Sequence, residues 1–259
     1  MAYGATVLAD APRHYWRLAD PGGLFFHDIG SAPRALQQGV AGVGFAAPYT
    51  GPASDGGSAW VGLGSALNYT DADLALTLPV SLECWFWLHH LQAAAVGFLS
   101  VSDGATTLEI GLDSTLHAHA FASGGGASAV AVTTRQQWHH LVLTNTGAAA
   151  LLYLDAIQVA APPAAVIGAW APGFLVGGGG NPSAPLRLAN AAIAEVAVFP
   201  AALTPARISA HYLAADTIAS RPVYRNSGTW SVTTGSAQTV PEAINVLLGD
   251  VTKNLGNAP

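Results

Sequence analysis

The sequence predicts an all-β protein: a two-sheet antiparallel sandwich with one short helix and a C-terminal extension that ends in an amphipathic helix. Three observations carry this. Short apolar or alternating runs recur at regular spacing, separated by Gly, Pro, Asn and Asp turn residues. One stretch has the full form of an antiparallel hairpin: an apolar run from Trp138 to Thr144, the segment Asn145-Thr146-Gly147, and a second apolar run from Leu151 to Leu154. Helix signals are confined to residues 205–214 and 240–255.

Taken in order, residues 1–12 read as a lead-in. Tyr15 to Leu18 read as a first strand, stopped by Asp20-Pro21-Gly22-Gly23. Residues 28–58 are rich in Gly, Ala, Pro and Ser and read as loop with short strands, and Ala59 to Leu63 as a strand. From Leu82 to Leu88 the alternation puts Leu82, Cys84 and Phe86 on one face and Glu83, Trp85 and Trp87 on the other. Both faces are largely apolar, which predicts a central strand covered on both sides. Val96–Ser100, Leu108–Leu112 and Leu116–Phe121 follow as strands, and Gly124-Gly125-Gly126 reads as a turn. After the hairpin a second tight turn is expected at Asp155-Ala156, with Ile157-Gln158-Val159 returning as a third strand. Phe174–Val176 and Ile193–Phe199 complete the strands. Thr204-Pro205 reads as an N-cap followed by proline at the first helical position, which predicts a short helix over 205–214.

Composition changes after Ala215. Residues 216–240 are polar and read as a tether. Ile244, Leu247, Leu248, Val251 and Leu255 then fall on one face of a helix of about sixteen residues. Thr239 and Glu242 fit a capping box, and Gly256 a stop. Such a helix is marginal alone in water, so its stripe needs cover, either on its own sandwich or on another chain. The expected division is a sandwich over 1–215 and an assembly segment over 216–259.

Four motifs occur in the order of a known family. Trp138-His139-His140-Leu141 with Leu152-Tyr153-Leu154-Asp155 resembles the W-H-H-[VL]…L-Y-[VL]-D-G pattern of laminin-G-like, concanavalin A-type jelly-roll domains. Tyr15-Trp16-Arg17-Leu18 resembles the opening strand of that family, Ser81-Leu82-Glu83-Cys84-Trp85 its S-L-E-A-W strand, and Ala192–Phe199 with Ala202-Leu203-Thr204 its closing segment. The pattern departs at Ala156, where the family usually has Gly, and at Ala194, where it usually has Asp. The resemblance implies a two-sheet jelly roll and a lectin-like role. It also implies a calcium option at the sandwich rim. Asp55 resembles the acid of the family's F-D-G position and Glu195 the acid of I-D-E-V, and hard oxygen ligands suit that ion.

Composition narrows the function. Only 9% of residues are charged, against about 25% in ordinary globular proteins, which leaves a surface easily desolvated against another protein. Net charge is −6 and the nine cations, Lys253 the sole lysine, are scattered. Nucleic acid is therefore not an expected partner, and prolines and glycines break the uncharged run from Ala156 to Leu186 too often for membrane insertion. Cys84 is the single cysteine and reads as a small buried hydrophobe. No signal peptide is read after Met1.

Two facing carboxylates, as glycoside hydrolysis needs, are not found. Glu109 and Asp113 share a strand face but at a separation of about 13 Å. The chain is accordingly expected not to be an enzyme and to need no cofactor. His117 and His119 share a strand face and are candidate metal ligands. Aromatic rings stack on sugar faces; Trp60, Trp170 and Tyr49, in or near loops, are the candidate glycan or partner contacts, while Trp16, Trp85, Trp87 and Trp138 read as core. The expected function is a virion decoration or fibre protein, most readily of a bacteriophage. It would be made in the host cytoplasm, released into the extracellular space on lysis, and anchored through its C-terminal helix to itself and to other virion proteins. The alternative is a free lectin-like module for surface glycans.

Overall fold

The structure is a computed structural model. It describes residues 3–18, 25–38, 43–50, 58–63, 67–70, 77–88, 94–102, 105–122, 125–131, 137–164, 173–181 and 184–215. The chain divides into two units, Met1–Arg225 and Asn226–Pro259. The second, with Ile244, Leu247, Leu248, Val251 and Leu255, lies outside the described residues, as do Asp55 and Trp170.

The elements in chain order are α1 (Tyr3–Leu8), β1 (His14–Trp16), β2 (Phe25–Phe26), β3 (Leu36–Gln38), β4 (Val43–Thr50), β5 (Ser58–Leu63) and β6 (Leu67–Thr70). Then follow β7 (Val80–Leu88), β8 (Val96–Ser102), β9 (Thr107–Leu112), β10 (His117–Ala122), β11 (Gly125–Ala131) and β12 (Trp138–Asn145). The last are β13 (Ala150–Leu154), β14 (Ile157–Ala160), β15 (Gly173–Val176), β16 (Gly179–Asn181), β17 (Ala184–Leu186), β18 (Asn190–Phe199) and α2 (Pro205–Ala214). One antiparallel sheet runs β14-β13-β12-β7-β18-β5-β4, with β1 also paired to β18; a second runs β11-β10-β9-β8-β15-β6-β3-β2. The hairpin β16–β17 stands apart from both. This is the expected two-sheet sandwich.

The period-two pattern of β7 decides its place. Leu82, Cys84, Phe86 and Leu88 point into the core between the sheets, where they join Leu108, Ile110 and Leu112 of β9. Trp85 and Trp87 point the other way, into a second cluster with Tyr3, Val7, Phe199 and Ile208. The first sheet is thus covered on its outer face by α1 and α2. Each fully buried Leu or Phe contributes on the order of 1.5–3 kcal/mol. Trp16, Trp85, Trp87 and Trp138 are core residues, as expected, and Cys84 is fully buried. Burial pushes its thiol well above the ordinary range. No helix among the described residues is long and apolar enough to cross a membrane.

Helix α2 has the expected bounds. The Thr204 side chain accepts from the Arg207 N–H, and Pro205 occupies the first turn. Ser81 of β7 pins the approach to it, donating to the Ala201 carbonyl and accepting from the Leu203 N–H. Helix α1, strands β2, β6 and β11 and the hairpin β16–β17 were not expected. Helix α1 replaces the lead-in; it is six residues long, and its cohesion comes from burying Tyr3 and Val7. Strand β11 replaces the end of the Gly124–Gly126 turn, held by its ladder to β10.

The hairpins follow turn chemistry. At the β12–β13 corner Gly147 has φ +87° and its N–H is accepted by the Asn145 side chain. The β13–β14 turn is Asp155-Ala156, with φ of 51° and 64°. Positive φ at both central residues is a type I′ turn, and alanine there costs about 1–2 kcal/mol that glycine does not. Ala156→Gly is therefore expected to raise stability by about 0.5–1 kcal/mol, after the extra backbone entropy of glycine in the unfolded chain. Urea denaturation checks it; an unchanged or lower midpoint would refute it.

Candidate functional site

Buried charge sits on both outer faces, with different cover. On the helix side, Glu83 of β7 is wholly buried. Its carboxylate accepts from the Tyr3 hydroxyl at 2.8 Å, from His140 Nε2 at 2.9 Å and from His211 Nδ1 at 2.8 Å. The other His211 nitrogen lies 2.8 Å from Asp10 Oδ2, and Arg207 Nε contacts both Asp10 oxygens at 2.8 Å. Both ring nitrogens of His211 thus face carboxylates, so both carry protons and the ring is a cation. The titration directions agree. Burial alone would raise the Glu83 carboxyl, but the charges and hydrogen bonds of His211 and His140 hold it well below the usual carboxylate range. Burial lowers His211, yet the Glu83 charge and hydrogen bond, with those of Asp10, raise it above its ordinary 6.5.

These shifts set a pH window. The His211 contribution to stability is complete below 6.5 and is lost as pH rises through its raised native value. The Glu83 contribution is complete above the ordinary 4.5 and is lost as pH falls toward its depressed native value. Stability is expected to be greatest between these two values. The fall on the alkaline side should flatten in His211→Gln. Denaturant midpoints measured across pH test this, and an identical alkaline limb in the variant would sink it.

Glu195 lies on the same sheet, at a bulge in β18 where the register with β7 shifts between Ala194 and Ala197. It has φ +52°. The extra residue lets Ile193, Val196 and Val198 all point inward while Ala194, Ala197 and Phe199 point outward. The Glu195 carboxylate accepts from the Tyr15 hydroxyl and from Arg17, whose Nη2 lies 3.0 Å from Oε1. Burial, then the Glu195 charge, pushes the Tyr15 hydroxyl far up. A calcium ion at Glu195 would have to displace a guanidinium that already neutralises a fully buried acid, so the donor set at this position does not fit that ion. Among the described residues no group of three or more His, Cys, Asp or Glu is placed to hold a metal.

The outer face of the second sheet is built differently. Leu108, Ile110 and Leu112 point inward, so Glu109 and Gly111 point out. The cross-strand partner of Glu109 on β10 is Phe121, and that of Gly111 is His119. The hairpin strand β16 lies over β8 and β9, and Gly97 and Gly179 let it, while Gly111 admits the close approach of β8 to β9. A Cβ on Gly97 would meet the backbone of Gly178 and Gly179 at 2.6–2.7 Å. One on Gly111 would meet the Val96 carbonyl, and one on Gly179 the Glu109 carboxylate. Beneath this cover Glu109 is 1% exposed. It accepts from the Gly180 N–H at 3.0 Å and from Arg187 in a two-pronged pair, Nε to Oε1 at 2.9 Å and Nη2 to Oε2 at 2.6 Å. Arg187 has φ +49°, its carbonyl accepts from the Gly97 N–H at 2.8 Å, and its guanidinium carbon lies 5.6 Å from the Phe121 ring centre.

Beyond the hairpin, His117, His119 and Phe121 are half-buried. His117 and His119 share this face as the alternation predicted, and His117 Nδ1 is held by Thr115 Oγ1 at 2.8 Å. Burial lowers His119 below the ordinary imidazole value. Trp60 falls in β5, the strand expected over Ala59 to Leu63, and Tyr49 in β4; both are strand positions of the first sheet. Arg187 escaped the sequence reading, because nothing local links it to Glu109, 78 residues away in the chain.

Comparison with known proteins adds the following. Residues 55–209 match the Laminin_G_3 family model, described as the concanavalin A-like lectin/glucanases superfamily. A comparison with curated protein sequences gave no match. Among solved structures the chain is similar to the Trypanosoma rangeli sialidase in complex with 2,3-difluorosialic acid, with a TM-score of 0.58 and 16% identity, over 78% of this chain and 32% of that one. A mutant of the same sialidase displaying trans-sialidase activity gives 0.59 and 17%, over 80% and 33%. A structure titled as the HCR/D F1240A mutant gives 0.56 and 8%, over 79% and 51%. This chain thus spans about a third of the sialidase chains, and at these identities the likeness is one of fold. The expectation that the chain is not an enzyme is corrected by these neighbours. That exclusion rested on a missing carboxylate pair, and sialidases, which use a tyrosine nucleophile, do not require one.

Proposed function

The chain belongs to the concanavalin A-like lectin/glucanases superfamily, and from this we propose that its sandwich is a lectin-like module that contacts saccharides through the outer face of the second sheet. One observation carries the reading. Helices α1 and α2 cover the outer face of the first sheet at β7, β12 and β18, whereas His117, His119, Phe121 and Arg187 stand partly uncovered on the second. A half-buried ring beside imidazoles and a guanidinium supplies both a stacking surface and directional donors, which is what a sugar ring needs. Calorimetry of the whole chain against a panel of oligosaccharides tests it, and no heat from any of them would reject it.

A second reading concerns where the module works. The low charge and the helical stripe Ile244, Leu247, Leu248, Val251 and Leu255 favour a virion decoration or fibre protein that assembles with itself and with other virion proteins through residues 216–259. On this reading the chain is made in the host cytoplasm and works outside the cell after release. Mass spectrometry of purified particles would find the chain in stoichiometric amount, and its absence would reject this reading.

A further inference from the structure

The second sheet's outer face contains one guanidinium that the fold has gone to some length to place. Arg187 is held in a left-handed backbone conformation, a strained state for a side-chain-bearing residue that persists only where surrounding contacts enforce it. Its carbonyl is tied to Gly97, and its Nε and Nη2 are locked on Glu109, which is itself buried and bound to Gly180. Glu109 takes only two of the five N–H donors of a guanidinium. Among the described residues Nη1 has no hydrogen bond, and the side chain keeps 31% of its surface exposed. A buried carboxylate is used here to orient an arginine that is partly exposed and keeps further N–H donors.

On the His119 rung the flanking residues are Gly111 on β9 and Ser128 on β11; on the Phe121 rung they are Glu109 and Gly126. Along β10 this face presents the half-buried His119 imidazole and Phe121 ring, with the Arg187 guanidinium beside that ring.

We propose that this face binds a carboxylate-bearing saccharide, a uronic or sialic acid residue, with Arg187 receiving the carboxylate and Phe121 and His119 contacting the sugar ring. The planar donor edge of a guanidinium matches a carboxylate. The ring gives the apolar sugar face a place to stack. A phosphate dianion fits less well. Arg187 is the one fixed cation among the described residues of this face, it is already paired with Glu109, and the whole chain carries −6. The inference rests on the saccharide-contact reading above and adds the ligand class and its anchor.

The test is calorimetry of the full chain with sialyllactose, with a galacturonic acid trimer and with lactose, for wild type, Phe121→Ala and Arg187→Lys. Circular dichroism establishes that each variant is folded. At least one acid is expected to bind tenfold or more tighter than lactose, and which one binds identifies the source. Phe121→Ala should weaken that binding at least fivefold. Arg187→Lys, which keeps the charge but loses the fork, should erase the preference over lactose. Lactose binding as tightly as both acids, or acid binding untouched by both variants, overturns this inference and leaves saccharide contact standing. No binding of any of the three rejects saccharide contact itself. Should Arg187→Lys fail to fold, Phe121→Ala alone decides: unchanged acid binding overturns the assignment.

Discussion

Glu83→Gln is expected to lower the unfolding free energy by roughly 3–5 kcal/mol, the range for removing one partner of a buried ionic network. The carboxylate is the sole acceptor shared by Tyr3, His140 and His211, which belong to α1, β12 and α2. An amide can offer one oxygen to three donors and turns its own N–H groups toward at least one of them. His211 would then be a buried cation facing only Asp10. The loss should be read from urea denaturation at pH 6, inside the window where both groups contribute. A change below about 1 kcal/mol, the worth of an ordinary neutral hydrogen bond, would show that solvent reaches this network.

The second large effect is on the opposite sheet and is expected to be non-additive. Arg187→Met leaves the Glu109 carboxylate buried under Gly179 and Gly180 with, among the described residues, only the Gly180 N–H to satisfy it, and should cost about 3–5 kcal/mol. Glu109→Gln in the same background removes the uncompensated charge, so the double variant should be more stable than Arg187→Met alone by about 2 kcal/mol or more. Chemical denaturation of the two single variants and the double variant gives the coupling. Simple addition of the two losses would mean that Arg187 and Glu109 do not act as a pair.

The legible parts of this molecule were those whose information is local. The alternation through Leu82 to Leu88 places β7 with its two faces correctly assigned. Thr204-Pro205 locates α2 to the residue. The Asp155-Ala156 turn could be read although alanine occupies a glycine position. Helix α1 was not legible, because six residues lack the length to show a period and are stabilised by what they bury. Strand β11 was not, because Gly125–Ala131 is glycine, alanine, serine and valine with little apolar alternation, and it becomes a strand by pairing with β10. The chemical groups escaped for a related reason. Glu83 meets His211 across 128 residues and Glu195 meets Tyr15 across 180, and one sequence has no signal that couples such distant positions. Glu195 resembled a calcium ligand by its motif; the fold gives it Arg17 instead.

The place of Cys84 has a practical consequence. Its sulfur lies between the two sheets, on the strand that anchors both clusters, and no other thiol competes with it. An alkylating reagent can reach it only during excursions in which the sandwich comes apart. The speed of its labelling in native buffer is therefore a built-in clock for such openings, readable by intact mass without any engineered probe.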